Sequence, residues 1–550
     1  MSKGMGKLGA LLPSTVDYRA LRTSWKSDVV AGITVGIVAL PLALAFGVSS
    51  GVGAEAGLIT AIVAGIVAAV FGGSNVQVSG PTGAMVVVLA PIVATHGAGS
   101  VLVVGILAGA ILVVAGVLRL GRTVSYIPWP VIEGFTVGIG VIIFLQQVPS
   151  AVGVSGEGHH TNSIIAAIQS ITEADPRKAL YSVMVVIAVA VIMLVLSRLN
   201  GWIPASFIAI VAVSVVAALF RLPLETIGEL PHSLPAPHLP ELSLTLVYAL
   251  IGPAFAVAAL AAIESLLSAR VAGSMADTGP FNADRELVGQ GLASLASGVF
   301  GGMPATGAIA RTAVNVRSGA KTRVAAIVHS LSLLAVVYLA ATVVSHIPLA
   351  ALAGVLMVTA GKMVSVATIK EVTKTSRPDA AVFILTIIVT VTFDLVIAVG
   401  IGIAAAAFFA LRALSRASGI HRQELRGEPQ PGDEKIALFR LEGSLFFGAA
   451  EGILERIERY EGIEVVILRL SQLQLVDATG ARTLTELVNV LERKGITVLI
   501  KGIRKEHLRI FQRVGVVNSL RHVNHLFTEL PPAVEHARSH VRRSTTGAMY

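Results

Sequence analysis

Cysteine is absent from the 550 residues, and charged residues are scarce. Without cysteine the chain can form no disulfide, no thiolate metal site and no cysteine nucleophile. Only 14% of the residues are charged and the mean hydropathy is +0.80, whereas soluble domains carry about 25% charged residues. This composition excludes a soluble globular protein and a disordered chain, and it predicts a polytopic α-helical membrane protein.

Aromatic residues are also few, at 5% of the chain, while 54 residues are glycine. Small residues let membrane helices pack closely, so this balance is typical of a helical bundle in a lipid bilayer. The net charge of +9 could indicate nucleic-acid binding. In a membrane protein, however, the positive-inside rule already produces a basic excess, and we expect no nucleic-acid partner.

The distribution of charge divides the chain in two. Residues 1–417 contain 40 charged residues, and the much shorter stretch 418–550 contains 35. Arg422–Gly432, which is polar and bears proline and glycine, is typical of a linker. We therefore predict a cytoplasmic N-terminus at 1–27, a transmembrane domain at 28–416, a linker at 417–434, a soluble domain at 435–531 and a tail at 532–550.

Apolar runs in the first part predict fourteen membrane spans. A span needs about 20 apolar residues, and fewer where a helix stops inside the membrane. The third and the tenth predicted spans are unusually short. The fourteen are 28–47, 55–71, 81–95, 100–118, 131–148, 179–197, 203–220, 245–269, 286–301, 306–316, 323–345, 348–363, 379–394 and 396–415.

Basic residues are unevenly distributed between the two sides that these spans define. With the N-terminus inside, fourteen lysines and arginines fall on inner connections and span ends, and three fall on outer ones. The positive-inside rule therefore predicts a multi-pass protein of the plasma (inner) membrane with both termini in the cytoplasm. The even number of spans places the soluble domain in the cytoplasm too.

Two stretches of the chain share short sequence motifs in the same order. Val-Phe-Gly-Gly occurs at 70–73 and at 299–302; Pro-Thr-Gly-Ala follows at 81–84, and Pro-Ala-Thr-Gly-Ala at 304–308. If each copy holds seven spans, the odd number places the copies in opposite orientations. The sequence thus predicts the inverted repeat that is typical of secondary transporters.

In such transporters, short segments broken by glycine and proline mark the binding site. Here the breaks lie at 79–84 and 303–308, and each is followed by a half-helix. The free N–H groups of a helix N-terminus carry about half a positive charge, so two N-termini that meet form an anion site. The alternative is that both segments are only packing kinks.

Two ionisable residues are predicted at membrane depth near these breaks. Arg311, one turn into the second half-helix, would add a full positive charge to an anion site. Glu264, in the eighth span, could carry a coupling proton because burial favours a neutral carboxyl group, or could bind Na⁺ together with Ser268. Alternatively, Arg311 and Glu264 form a permanent ion pair. Phe46 either lines the same cavity or belongs to the core.

The soluble domain alternates predicted strands and helices. Strands are predicted at 435–442, 464–470 and 496–501, and helices at 478–493 and 505–513, which together indicate a small α/β domain. Thr479 lies between a strand and a helix. It is either a helix N-cap or a regulatory site, where a phosphate group would meet a helix N-terminus.

Together these features resemble the sulfate permease (SulP) family, the bacterial relatives of the solute carrier 26 anion transporters. The resemblance rests on Ala39–Phe46, Gly80–Pro81, Gly301–Asn315 and Val476–Gly480, the last of which is similar to a STAS domain motif. It implies a seven-plus-seven inverted repeat, a core and a gate that move by an elevator-like motion, and a homodimer. It also implies a substrate site between spans one, three, eight and ten. The implied site positions are Phe46, Gly83, Ala84, Glu264, Gly307, Ala308 and Arg311.

The chain departs from the family at informative positions. Many members have glutamine where this chain has Leu42, which weakens a sulfate assignment. Members that couple bicarbonate transport to Na⁺ have aspartate and threonine at the positions of Glu264 and Ser268, and a threonine where this chain has Ile309. The resemblance therefore favours proton coupling over Na⁺ coupling.

We thus expect a proton-coupled carrier of bicarbonate, sulfate or a C4-dicarboxylate, with no cofactor and no metal. No nucleophile–base pair or metal cluster is visible in the sequence, so an enzyme is not expected. Three alternatives remain open: an anion channel or uncoupled exchanger of the same fold, a nucleobase permease of the related fold, and a membrane-anchored regulatory module. The last would bind a cytoplasmic protein partner at the Thr479 surface.

Overall fold

The computed structural model describes residues 9, 11–154, 163–199, 204–230, 232–238, 243–275, 279, 281–393, 395–417, 419–425, 428–445 and 462–547. The chain divides into two compact units, Met1–Ile403 and Ala404–Tyr550. Among the described residues, the first unit contains helices and two strands of two residues each, and the second contains a five-stranded sheet.

The helices of the first unit follow one another along the chain, and the last of them continues into the second unit. In chain order they are α1 (Leu21–Ser49), α2 (Ala54–Phe71), α3 (Gly83–His96), α4 (Ser100–Val117), α5 (Trp129–Gln146), α6 (Val148–Ala151), α7 (Ser163–Glu173), α8 (Pro176–Leu199), α9 (Ala205–Leu219), α10 (Leu244–Met275), α11 (Ala283–Val299), α12 (Ile309–Arg317), α13 (Val324–Val344), α14 (Leu349–Met363), α15 (Val366–Thr375), α16 (Arg377–Thr392) and α17 (Leu395–Ala417). The strands β1 (Ser79–Gly80) and β2 (Thr306–Gly307) precede α3 and α12.

Each predicted span falls on one of these helices. Within the described part of the chain, eight helical segments are long and apolar enough to cross a membrane, and α3, α9 and Ile397–Ala413 are shorter apolar helices. The count of fourteen crossings stays a prediction. The helices α7 and α15 were not predicted, because their apolar residues form one face of a short amphipathic helix instead of a continuous run.

The first unit is held together by helix pairs that join the two repeats. α4 packs against α11, and α1 packs against α13. At the α4–α11 contact two glycines face each other: a methyl group on Gly109 would lie 2.7 Å from the Gly291 carbonyl oxygen, and one on Gly291 would lie 2.6 Å from that of Gly109. Neither position can hold a larger residue, which explains part of the glycine content.

The second unit is a sheet with helices on both faces. Its strands are β3 (Gly419–Gln423), β4 (Ile436–Leu445), β5 (Val465–Val476), β6 (Thr497–Lys501) and β7 (Leu526–Phe527), in the order β3-β4-β5-β6-β7. β3 is antiparallel to β4, and the other pairs are parallel. The helices are α18 (Ala478–Arg493), α19 (Lys505–Val514) and α20 (Leu530–Gly547).

Alternate side chains of the strands supply two hydrophobic cores. Phe439 and Leu468 pack with α18 and α19 on one face, while Ile467 and Leu499 pack with α20 on the other. This alternation follows from the two-residue period of a strand. The unit is therefore a three-layer α/β domain.

Two parts of the second unit differ from the sequence expectation. Strand β3 lies inside the predicted linker, and α20 occupies most of the predicted tail. α20 is part of the folded domain because Ala533 and Ala537, one turn apart, are fully buried against the sheet. Alanines give a weaker hydrophobic pattern than leucines, so the apolar face of this helix was not recognised.

Candidate functional site

The two breaks predicted in the repeats meet as a pair of antiparallel strands. Ser79 pairs with Gly307 and Gly80 with Thr306, and the Ala308 N–H donates to the Val78 carbonyl oxygen at 2.9 Å. Each strand leads into a half-helix, so the N-termini of α3 and α12 lie beside this crossing. Antiparallel pairing is the arrangement that an inverted repeat requires.

Glycines allow the chain segments to approach each other at the crossing. Gly80 has a φ of 153°, and a methyl group there would lie 2.8 Å from Nη1 of Arg311. A methyl group on Gly307 would overlap the Gln77 side chain, and one on Gly83 would overlap Cδ1 of Ile143. The two sequence breaks therefore meet at one close-packed junction.

Helix α10 contributes Glu264 to the junction. Oε2 of Glu264 accepts hydrogen bonds from the Thr82 and Thr306 hydroxyls, each at 2.8 Å, and the two hydroxyl oxygens lie 3.2 Å apart. In the described part of the chain, no group is hydrogen-bonded to Oε1. The next residue, Ser265, accepts from the Gly307 N–H at 2.9 Å, so α10 is fixed to β2 at this level.

Arg311 lies against the other side of the crossing. Its side chain is 2% exposed, and Nη2 donates to the Pro81 carbonyl oxygen. Nη1 is buried and has no hydrogen-bond partner in the structure. A buried guanidinium N–H group that makes no hydrogen bond destabilises the fold, unless a ligand or a water molecule accepts a hydrogen bond from it.

Glu264 and Arg311 do not form an ion pair within 4.0 Å, since each is held by neutral groups. The direct ion pair of that alternative is therefore not formed in this conformation. The arginine charge remains available to a ligand beside two helix N-termini, which is the chemistry of an anion site.

Ser268 lies one turn beyond Glu264 on α10 and makes a different contact. Its hydroxyl donates to Oγ1 of Thr312 at 3.1 Å, and Thr312 accepts from the Val78 N–H at 3.0 Å. Asn315, further along α12, donates to the Val76 carbonyl oxygen at 2.8 Å. Ser268 thus belongs to the hydrogen-bonded connection between α10, α12 and the segment before β1.

The apolar residues expected at the site surround the N-terminus of α3. Phe46, Ala84 and Ala308 are all buried. A methyl group on Gly83 would lie 3.4 Å from Cε1 of Phe46, so the phenyl ring covers the first residue of α3. The structure therefore brings Phe46, Gly83, Glu264, Gly307 and Arg311 to one junction.

Sequence reasoning missed Thr82, Thr306 and Gln77. The two threonines occupy the same place in the repeated Thr-Gly-Ala word, and this shared position was the signal that could have identified them. Gln77 is buried, and both polar atoms of its side chain lack hydrogen-bond partners. An amide with two unsatisfied atoms next to Gly307 is a further group that a ligand or water would satisfy.

Each repeat also holds the break of the other repeat in place. Glu286 on α11 accepts from the N–H groups of Gly73 and Ser74 at 2.7 and 3.1 Å. Thr60 on α2 accepts from the Met303 N–H at 2.8 Å. These reciprocal contacts restrain both loops that lead to the crossing.

A cavity of about 860 Å³ opens near the C-terminal end of α1. Its wall includes Ser49, Ser50, Gln146, Lys178 and Glu225. On α3 the wall begins at Ala90, seven residues from Gly83, which corresponds to about 10 Å along a helix. Phe46 and Ile143 lie beside Gly83, at the N-terminal end of this segment of α3.

Thr479 in the second unit is not the N-cap of α18. The N-cap is Asp477, whose side chain accepts from the Gly480 N–H at 2.7 Å. Aspartate fills this role because its carboxylate satisfies a free N–H and carries negative charge at the positive helix end. Thr479 is exposed in the first turn of the helix.

The fold and the site define a class of protein. Apolar helices surround two broken helices that cross at an antiparallel pair of strands, with a buried arginine beside them, and this is the plan of a secondary membrane transporter. The chain belongs to the sulfate permease family, whose profile matches residues 25–386, and a STAS domain profile matches residues 430–532. It is therefore a multi-pass membrane transporter of an anion-transporting family, not an enzyme.

Related proteins match this chain along most of their length. YvdB of Bacillus subtilis, whose name provisionally assigns it to sulfate transport, is 34% identical over 90% of this chain and 95% of that protein. The bicarbonate transporter BicA of Synechocystis is 30% identical over 90% of this chain and 92% of that protein. Both names describe carriers of small oxyanions.

Solved structures share the fold. The structure of SLC26A9 has a TM-score of 0.82 at 15% identity and covers 99% of this chain and 95% of that one. The structure of the murine protein, described as an anion transporter in its inward-facing state, has a TM-score of 0.79 at 17% identity, with 93% and 91% coverage. At this identity the likeness shows the fold alone.

Proposed function

We propose that the chain is a secondary active transporter that binds a small anion at the junction of α3, α10 and α12. The observation that carries this proposal is the buried Arg311, whose Nη1 has no hydrogen-bond partner although Nη2 donates to the Pro81 carbonyl oxygen. An anion there would accept hydrogen bonds from Nη1 and from the first N–H groups of the two half-helices.

The second part of the proposal is proton coupling through Glu264. An ionised Glu264 would repel an anion bound at the same junction, whereas a protonated Glu264 would not. A bound proton therefore raises the affinity for the anion, and a bound anion raises the affinity for the proton. This mutual effect couples the movement of the two across the membrane. Thr82 and Thr306 hold Oε2, which leaves Oε1 for the proton.

The substrate class follows from the size and charge of the site and from the relatives. The names of YvdB and BicA point to sulfate and to bicarbonate, and a C4-dicarboxylate presents similar oxygens. Leu42 replaces a polar residue of many family members, so bicarbonate and dicarboxylates rank above sulfate. Na⁺ coupling ranks below proton coupling because Ser268 already donates to Thr312.

The remaining parts of the proposal concern the transport motion, the oligomeric state and the orientation in the membrane. Strands β1 and β2, with α3, α10 and α12, would move as one body in an elevator-like motion, because hydrogen bonds join them all. We further propose a homodimer in the plasma membrane with both termini in the cytoplasm.

Uptake into proteoliposomes tests the proposal. The purified protein would receive labelled bicarbonate, sulfate or succinate with an inward proton gradient, an inward Na⁺ gradient or neither. We expect uptake of one anion that rises with the proton gradient. Electrical currents larger than the turnover rate of a carrier can produce would instead indicate a channel. Uptake of an uncharged nucleobase would indicate the related permease. Absence of any flux would favour a regulatory module.

Substitution of Arg311 tests the site itself. Arg311→Ala removes the free donor and the charge, so anion affinity should fall about 10- to 100-fold, the range expected for a charge-assisted hydrogen bond. Arg317→Ala, on the exposed last turn of the same helix, is the matched control and should bind as the unmodified protein does. Unchanged affinity in Arg311→Ala would remove this residue from the site.

A further inference from the structure

Three histidines come together in the second unit, outside the transport site. His525 lies just before β7, in the short 3₁₀ helix Val523–His525, and His536 and His540 lie four residues apart on α20. One ring nitrogen of each lies within 4.8 Å of those of the other two. We propose that His525, His536 and His540 form a binding site for a divalent transition metal, with zinc as the ion that fits best.

The spacing of the ring nitrogens fits zinc. Zinc binds histidine nitrogen at about 2.0–2.1 Å in tetrahedral geometry, so two ligand nitrogens lie about 3.3–3.4 Å apart. The Nε2 atoms of His536 and His540 lie 3.3 Å apart. The third nitrogen is at most 4.8 Å away, and a small side-chain rotation closes that gap.

The pattern His536-Ala-Arg-Ser-His540 also has the ligand spacing of zinc sites on helices. Residues four apart lie on the same helix face, so both rings point in one direction. α20 is firmly placed, because Arg538, between the two histidines, forms a bidentate ion pair with Asp433 at 2.8–2.9 Å. The ligands therefore project from a fixed helix.

His525 supplies an independent sign of a missing ligand. Its side chain is buried, and Nδ1 has no hydrogen-bond partner in the structure. A buried ring nitrogen without a partner loses its hydration and gains nothing in return. A bound metal or its coordinated water would satisfy this group.

The charge state of the rings suits metal binding. Burial and then the neighbouring imidazoles of His540 and His536 lower the pKa of His525 to about 4. Burial is also the main cause that lowers the pKa of His536 and His540. Neutral imidazole is the form that coordinates a metal.

The surrounding charges are compatible with a cation at this place. Arg521 and Arg543 lie near the cluster and oppose a positive ion. Arg521 is neutralised by an ion pair with Glu492 at 2.7 Å, while Arg543 donates to the Ser539 hydroxyl at 3.3 Å. With three histidine ligands, the fourth position is left for a water molecule.

Zinc titration of the full-length protein tests the proposal. The purification tag would be removed, bound metal stripped with a chelator, and zinc chloride added while heat and bound metal are measured. We expect one zinc per chain. His536→Gln and His540→Gln should each weaken binding about 100-fold or more, since loss of even a residue that only orients a ligand costs about 10- to 100-fold.

Two controls separate a metal site from a structural cluster of rings. His522→Gln changes an exposed neighbour of His525 and should leave a stoichiometry of one zinc. Zinc should raise the unfolding temperature of the unmodified protein but not that of His540→Gln. Cobalt bound to the unmodified protein should give the visible absorption spectrum of tetrahedral cobalt. This measurement needs no variant.

Zinc that binds equally well to both variants, or no zinc bound to the unmodified protein, would overturn the proposal. In those cases the short distance between His536 and His540 is only a hydrogen bond between neutral rings. Because the test reads bound metal, its failure leaves the transport proposal untouched.

Discussion

At the scale of single residues, the junction separates two charges that could have neutralised each other. Glu264 is held by two threonine hydroxyls, and Arg311 by the Pro81 carbonyl. Neutral partners fix the position of a charged group without cancelling its charge. Under the proposed function, Glu264 would respond to a proton and Arg311 to an anion, which a closed ion pair could not do.

Replacement of Glu264 by glutamine should separate binding from coupling. Glu264→Gln keeps the shape and the acceptor for Thr82 and Thr306 but cannot ionise. We expect anion binding to persist and the dependence of uptake on the proton gradient to disappear. Labelled-anion uptake across a range of external pH measures both. If acid still stimulates this variant, another group carries the proton.

A second residue-scale prediction concerns the packing at the start of α3. A methyl group on Gly83 overlaps Cδ1 of Ile143, so Gly83→Ala should be destabilised by about 1–3 kcal/mol and transport poorly. Ile143→Val removes that one atom, and the double variant should recover most of the loss. Thermal unfolding and uptake are measured for the unmodified protein, the two single variants and the double variant, which together form a double-mutant cycle. Additive losses would mean that the two positions do not contact each other.

At the scale of elements, the sequence predicted most helices but not how they are joined at the site. Long apolar runs predict membrane helices directly, and the predicted 478–493 coincides with α18. The strands β1 and β2 have only two residues each, too few for a period-two pattern to be visible. Their pairing depends on contacts between residues more than 200 positions apart, and no local pattern reports those.

The same limit explains the errors at the site. Arg311 and Glu264 were predicted because charges stand out in apolar helices. Thr82 and Thr306 did not stand out, since threonine is common in membrane helices, and only their equivalent places in the repeat distinguish them. The N-cap of α18 was misplaced by two residues, because both Asp477 and Thr479 are good capping residues.

The assignment of this cap can be checked directly. Asp477→Ala removes the carboxylate that accepts from the Gly480 N–H, so the second unit should lose about 1 kcal/mol of unfolding free energy. Thr479→Ala, in the exposed first turn of the same helix, is the matched control and should change much less. Calorimetric unfolding of the full-length variants measures both. A larger loss for Thr479→Ala would contradict the assignment.

At the scale of the whole molecule, two units with different solvents share one chain. The first packs apolar helices around the junction of β1 and β2, while the second is an α/β domain with ion pairs between its elements. In the second unit, the hydrogen bonds from Arg538 are the main cause that lowers the pKa of Asp433. This ion pair ties α20 to the turn before β4.

That ion pair predicts how the second unit responds to acid. A carboxylate with a lowered folded-state pKa stabilises the fold above its unfolded pKa of about 4, and this contribution is lost as the pH falls through the folded value. We therefore expect α20 to loosen at a pH below about 4. Hydrogen exchange of residues 530–547 should increase there, and Asp433→Asn should show the faster exchange already at pH 7. Equal protection in the variant would show that the ion pair contributes nothing.

The crossing of β1 and β2 also constrains the origin of the chain. Two copies of one ancestral segment can pair their strands antiparallel across a two-fold axis in the membrane plane only if they were inserted in opposite directions. A duplicated segment with an even number of crossings would place both copies the same way up. If the two repeats descend from one such segment, that segment had either an odd number of crossings or the freedom to insert both ways, and its site formed only when two separate copies met.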